Sequence, residues 1–419
     1  MKHYPKIILF AVLMCMAGAN AFAFDFEAKN SQGMTIYYNY INDGKELEVA
    51  INEADRYMGS VVIPEEVTFM NRTRKVTSIG QRAFMRCNKL TSVTIPNSVL
   101  LIDASAFNSC KGLSSITIPN SVTTIGDYAF AHCQKMSSVK IGNGVISIGN
   151  NSFQGCLNLT SITLPNSLTT IGRSAFNGAG LTSVVIGDNV TTIGQNAFES
   201  NYNLTSLTIG NGLKIIGSNA FNNSGLTSIV IPNNVTYIGS EAFSRCSNLS
   251  SVTIGNGIET IEKGAFSKCE NLKSVIISDI AAWCRIKFVQ YPGDTFVTAN
   301  PLIYAHHLYM NGQEIKDLVI PDGVTEIIDF AFIECTGLTS LTLPSSVKSI
   351  GTAAYRNIDF TTIVSKIDNP SAIKGKADEY KRTFSINTYN NATLYVPKGT
   401  LEKYKATEGW KDFVFIEEQ

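Results

Sequence analysis

A phenylalanine recurs through this chain at a nearly fixed interval: Phe84, Phe107, Phe130, Phe153, Phe176, Phe198, Phe221, Phe243 and Phe266. The steps are 23 residues, shortened to 22 between Phe176 and Phe198 and between Phe221 and Phe243. Phe332 and Tyr355 resume the register. Self-similarity at this period describes stacked units that bury their apolar faces against their neighbours, not one closed globular core. One unit reads Ile116-Thr-Ile118-Pro-Asn120-Ser-Val122-Thr-Thr-Ile125-Gly-Asp-Tyr-Ala-Phe130-Ala-His-Cys133-Gln-Lys-Met136-Ser-Ser-Val139.

Each unit contains the pattern L-x-x-V-x-I, as in Leu90-Thr-Ser-Val93-Thr-Ile95. This is the strand segment of a leucine-rich repeat, with β-branched residues where a pleated, half-buried strand favours them. The expected fold is therefore a β-rich repeat solenoid: a leucine-rich-repeat right-handed superhelix, horseshoe or arc, with coils of about 23 residues. A solenoid exposes an unpaired strand and an open core at each end, so both ends require covers. Residues 24–60, with a hairpin signal at Asn42-Asp43-Gly44-Lys45, are the expected N-terminal β cap. The array itself spans 61–365, with a polar insertion at Phe69 to Lys75 and an insert at 278–315. Residues 366–419 are the expected C-terminal cap, with a strand at Ala392 to Val396, a short helix N-capped by Thr400, and Trp410 and Phe413 as apolar cover.

The first 23 residues follow a different logic. Lys2 and Lys6 precede an apolar run from Ile7 to Ala17 that is too short to span a bilayer, and Ala21-Phe22-Ala23 has the form of a cleavage site. A secretory signal peptide with a mature chain from Phe24 is expected. A lipid-anchored alternative at Cys15 is disfavoured by Met14, which stands where a small residue belongs. No later run is long enough for a membrane span.

Seven cysteines (Cys87, Cys110, Cys133, Cys156, Cys246, Cys269 and Cys335) sit three residues after a register phenylalanine, with Cys284 apart. Buried free thiols acting as small apolar fillers are expected. A disulfide ladder is the alternative in an exported chain. A second column holds Asn97, Asn120, Asn143, Asn166, Asp188, Asn211, Asn233 and Asn256. With a single acid it lacks the carboxylates calcium requires, and it reads as a ladder of Asx turns satisfying local backbone groups. Charged residues make up 16% of the chain and the formal net charge is zero. That balance argues against a nucleic-acid binder, which needs clustered Lys and Arg to neutralise phosphates. G-x-S-x-G, H-E-x-x-H, C-x-x-C and P-loop motifs are absent, and no paired acids stand out, so no enzyme, cofactor or metal site is expected.

The outward strand positions carry the functional expectation. One row is Ser92, Ser115, Ser138, Ser161, Ser183, Ser206, Ser228 and Ser251; the next is Thr94, Thr117, Lys140, Thr163, Val185, Thr208, Val230 and Thr253. Together they pave a sheet face with hydroxyls, few charges and almost no aromatics. The candidate contacts are Ser138, Lys140, Ser161, Thr163, Ser206 and Thr208. Equally, these residues are what a tight, soluble, repeated sheet tolerates. The insert supplies a second candidate surface with Trp283, Tyr291, His306 and His307, because insertions in solenoids map to one face or edge. Packing of Trp283 against the coils is its structural alternative.

The full motif Leu-x-x-Val-x-Ile-Pro-x-x-Val-x-x-Ile-Gly-x-x-Ala-Phe-x-x-Cys closely resembles the BspA-like, Treponema-type leucine-rich repeats of bacterial surface proteins. Ile118 to Cys133 matches throughout, and the resemblance covers about residues 60–365. Ala282-Trp283-Cys284, Asn300-Pro301-Leu302, Leu394-Tyr-Val-Pro397-Lys-Gly399 and Gly409-Trp410 look like segments of exported Bacteroidales members. The resemblance implies an extracellular or outer-surface location, with the periplasm as alternative. It also implies an adhesin-like role in binding host matrix or bacterial surface proteins, and a monomer is expected. A glycan-binding accessory protein and an envelope spacer without a ligand are the competing expectations.

Overall fold

The computed structural model describes residues 24–52, 56–290 and 299–419. The predicted signal peptide and Tyr291, with its Tyr291-Pro292-Gly293-Asp294 turn, lie outside the described residues. The chain is a β-solenoid of about 14 turns with roughly 23-residue coils and little helix. Each coil has three hydrogen-bonded sides. Strands such as Ser115–Thr117, Ser138–Lys140 and Ser161–Thr163 pair in parallel on the first. Two-residue strands form the second, a sheet running from Leu101–Ile102 through Thr124–Ile125 and Ser147–Ile148 to Lys287–Phe288.

The third side carries the phenylalanine. Here Ser105 N, Phe107 N and Ser109 N donate to the carbonyls of Asp127, Ala129 and Ala131 in the next coil, each at 2.7 Å. Alternate carbonyls face the neighbouring coil because the residues two before and two after the phenylalanine are left-handed. Tyr128 and His132 have φ of 57° and 59°. A non-glycine residue there costs roughly 1–2 kcal/mol, which the intercoil ladder offsets. Inside, the rings stack in an unbroken file from Phe84 to Phe266. Phe107 and Phe130 have centroids 5.0 Å apart and planes 3° apart, and Phe198 and Phe221 5.3 Å and 1°. Every register phenylalanine is fully buried.

The cysteine column is as the repeat suggested, with all eight described cysteines free and buried. It also has a role beyond filling space. Cys133 Sγ donates to Phe107 O at 3.1 Å, and Cys156 Sγ to Phe130 O at 3.2 Å. Where asparagine replaces cysteine, Asn201 Nδ2 donates to Phe176 O at 2.8 Å and to Phe198 O at 2.9 Å. The column is a donor to the preceding coil's phenylalanine carbonyl, and Asn201 satisfies that requirement too.

The asparagine column differs from the expected local Asx turns. Asn120 Oδ1 accepts from Asn143 N at 2.9 Å, and Asp188 Oδ1 from Asn211 N at 2.7 Å. These bonds join successive coils because the turns stack within reach of one another. The same closeness explains the Gly-Asn-Gly turns. A Cβ at Gly212 would lie 1.7 Å from Asp188 O, too close for any side chain. At Gly187 the nearest atom would be Asn166 Oδ1 at 3.6 Å, an ordinary contact. Gly212→Ala should therefore destabilise the fold by about 1–3 kcal/mol as backbone is displaced, and Gly187→Ala by no more than about 0.5 kcal/mol. Urea unfolding of both variants checks this; equal losses would remove close approach as the reason for Gly212.

At the N-terminus, Phe26–Lys29, Thr35–Ile41 and Glu46–Val49 form an antiparallel meander, and Glu46–Val49 pairs in parallel with Arg72–Ile79. The stretch read as a polar insertion is a hairpin, Glu66–Phe69 against Arg72–Ile79, turning through left-handed Met70 and Asn71. At the other end, strands Thr393–Val396 and Phe415–Glu418 extend the first side, and Phe384 continues the ring stack from Tyr355 at 5.3 Å. A helix does begin at Leu401, but Thr400 does not cap it with its side chain. Its hydroxyl donates to Pro397 O at 2.6 Å, while Leu401 N donates to Glu418 Oε1 at 3.1 Å.

Candidate binding surface

The strand face is the first candidate. Ser138, Lys140, Ser161, Thr163, Ser206 and Thr208 are all exposed. Parallel register aligns them across neighbouring coils: Lys140 lies beside Thr163, Ser161 beside Ser183, Ser183 beside Ser206 and Val185 beside Thr208. Period-two alternation sends Val139, Ile162 and Val184 inward, so the rows face solvent by necessity. From Ser115 onward the rows divide between two five-stranded sheets, one ending at Ser206–Ile209 and the other beginning at Ser228–Val230, while Ser92 and Thr94 lie on Leu90–Thr94, paired with Gly59–Val62. Val185 and Val230 are 61% and 62% exposed, and Lys140 is the one charge in these rows from Ser92 to Thr253.

A third row, which sequence reasoning did not separate from these two, clarifies them. Ser137 Oγ donates to Ser114 O at 3.3 Å, Thr182 Oγ1 to Thr160 O at 3.1 Å and Ser250 Oγ to Thr227 O at 2.9 Å. These hydroxyls tie coil to coil. Among the described residues, Ser138, Ser161, Ser206, Thr163 and Thr208 have no such side-chain bond. At these coils the structural work of hydroxyls is thus carried one position earlier, whereas Ser92, at the N-terminal end of its row, still donates to Ser60 Oγ at 2.9 Å. Their spacing alone contained no signal of the difference, because Ser and Thr occupy all three rows.

The insert is built otherwise. Its Ile280–Trp283 helix is capped by Asp279, whose Oδ1 accepts from Ala281 N at 2.8 Å. Trp283 is buried, and its Nε1 donates to Ala331 O at 2.8 Å. Asn300 Nδ2 reaches the same carbonyl at 3.1 Å and Phe330 O at 2.8 Å. In regular coils that carbonyl position accepts from the preceding phenylalanine N–H, as in Phe107 to Ala129. Trp283 and Asn300 therefore take the place of a coil, which favours the packing reading of Trp283. His306 and His307 are half-buried. His306 Nδ1 lies 3.0 Å from Glu334 O, and His307 Nδ1 2.6 Å from Glu314 Oε1. The insert's strand Leu308–Met310 pairs in parallel with Ser274–Ile277 and so continues the strand-face sheet, with His307 O accepting from Val275 N at 3.1 Å, whereas Trp283 is buried. Among the described residues no group of three or more His, Cys, Asp or Glu is arranged to hold a metal ion, and no helix is long and apolar enough to cross a membrane.

Three-sided coils, a stacked phenylalanine file and parallel L-x-x-V-x-I strands define a leucine-rich-repeat β-solenoid. The family model described as the BspA type leucine rich repeat region matches residues 77–205, 169–284 and 304–395, with six copies. These matches cover more than half of the chain, and the protein belongs to that family. A leucine-rich repeat protein from Bacteroides ovatus has a similar solved structure, with TM-score 0.52 and 22% identity over 94% of this chain and 100% of that one. A leucine rich cell surface protein from Faecalibacterium prausnitzii gives TM-score 0.42 and 23% identity over 94% and 95%. The first of these likenesses speaks for a shared fold. No functionally curated protein matches the sequence.

Proposed function

We propose that this is an exported, non-enzymatic binding protein that recognises a protein partner on host matrix or on a bacterial surface, using the outer rows of its strand face. The observation that carries the reading is the division of labour among hydroxyls. One row is spent on coil-to-coil bonds, while Ser138, Ser161, Ser206, Thr163 and Thr208 are exposed and unengaged. A face of hydroxyls broken by Val185 and Val230 offers hydrogen bonds and apolar contact with almost no charge, and interface cores are likewise poor in charge. The resemblance to surface proteins supports the location.

Residues 24–419 should bind one class of immobilised protein saturably, in a panel of matrix proteins, bacterial surfaces and soluble polysaccharides. Because the face carries so little charge, raising salt from 0.1 to 0.5 M should change the affinity less than threefold. Binding confined to a polysaccharide would replace a protein partner with a glycan, and binding abolished by salt would move recognition to charged residues off this face, such as Arg82, Arg86, Arg173 and Arg245, which follow or precede the register phenylalanines.

A further inference from the structure

A cleft of about 750 Å³ opens where the Phe332 and Tyr355 coils meet the C-terminal segment. Its volume lies within the usual range for small-ligand sites, roughly 300–1,000 Å³. Five of its ten lining residues are charged: Glu334, Arg356, Asp359, Glu379 and Arg382. Only 16% of the whole chain is charged, so the cleft concentrates charge. Among the described residues, none of the five forms an ion pair within 4.0 Å with another. Neutral groups hold some of them in place. Ser385 Oγ and Asn387 Nδ2 donate to Asp359 at 2.7 and 3.0 Å, and Asn357 Nδ2 donates to Glu334 Oε1 at 2.6 Å. Arg356 Nη1 donates to Tyr380 O at 2.9 Å. The Nε atoms of both arginines are buried without an acceptor among the described residues, and Tyr380 is 72% exposed at the rim.

Charges of both signs, held apart and not spent on one another, complement a ligand that also carries both. We propose that this cleft binds a short zwitterionic peptide. Arg382 and Arg356 take its carboxylate, a pairing for which guanidinium geometry is suited. Glu379, which no neutral donor engages, takes its ammonium group, and Tyr380 covers the peptide between them. The three carboxylates against two guanidiniums count against a purely anionic ligand. This site is separate from the strand face and does not depend on how that face is used.

The test is calorimetry of residues 24–419 with tetra-alanine bearing free termini, and with the same peptide acetylated and amidated. The free peptide should bind saturably. Capping it, Arg382→Gln and Glu379→Gln should each weaken binding at least tenfold, with melting temperatures of the variants unchanged. Three results would overturn the proposal: no saturable binding of the free peptide, equal binding of the capped one, or indifference to Glu379→Gln. Tighter binding of tetraglutamate or dextran sulfate than of tetra-alanine would overturn it too, by showing a plain anion site. Variants of Ser161 and Thr163 should leave peptide binding as it was, whatever they do to a protein partner.

Discussion

Phe153→Ala should lower the stability of the solenoid by about 3–5 kcal/mol, the usual range for removing a buried phenylalanine. The ring is fully buried, 5.2 Å from Phe130 and 5.3 Å from Phe176, with planes 10° and 4° apart. Its loss opens a cavity in the middle of the file and removes two stacking contacts. Stability in such an array is a sum of coil and nearest-neighbour terms, so the break should also uncouple the two ends. Both tryptophans, Trp283 and Trp410, lie on the C-terminal side of the cavity. In urea, their fluorescence should therefore report a transition distinct from that of the circular dichroism, which samples every coil. Leu157→Ala, at a side chain 59% exposed, should cost less than about 0.5 kcal/mol. Comparable losses at both positions would mean that the file is not what holds the coils together.

Alkaline pH should unfold the protein. Burial pushes the Cys87 thiol up to about 11 and those of Cys156, Cys284 and Cys335 up to about 12. Burial also raises Cys110, Cys133, Cys246 and Cys269. An unfolded cysteine ionises near 8.5. Above that value the unfolded chain releases protons that the folded chain retains, so the folded state binds more protons and stability falls as pH rises. The contribution is complete below about pH 8. It is lost at about 1.4 kcal/mol per pH unit for each such thiol, until pH passes the folded value. Stability measured by urea at fixed pH should be flat from pH 7 to 8 and decline steeply between 9 and 11. Cys156→Ala should make the decline shallower by about one thiol's share. A pH-independent stability across that window would contradict free, buried thiols and favour the disulfide ladder.

The period of the fold was legible because each coil must present the same apolar columns to its neighbours. Phe130, Ile125, Val122 and Cys133 recur for a packing reason, and packing is what periodicity reports. Legibility ended where a residue's partner lies outside its own coil. The Asn120 ladder runs between coils, which a single repeat does not reveal. Phe384 joins the ring stack at 29 residues from Tyr355, a step that conceals it from a 23-residue register. The hairpin at Glu66 to Ile79 carries charged residues on its exposed positions and so resembled an insertion. On the surface, the hydroxyl rows were visible as spacing. The difference between Ser137, bonded to the preceding coil, and Ser138, left to solvent, depends on which way each side chain leaves the strand. The charged cleft had no signature at all, because Glu334, Asp359 and Arg382 come from three separate stretches.

Recognition through the outer strand rows predicts a change in the affinity of the chain for its captured protein partner when Ser138→Glu, Ser161→Glu and Thr163→Glu are combined. These exposed positions have no intercoil side-chain bond, so the melting temperature should hold. Deleting the insert is a poor comparison, because it removes the Trp283 and Asn300 bonds to Ala331 O. Tyr304→Ala, half-buried on the insert helix Leu302–Ala305, is a milder control. The triple variant should bind at least tenfold more weakly, and the control should bind within twofold of the unaltered chain. Unchanged binding by a folded triple variant would contradict recognition through these rows.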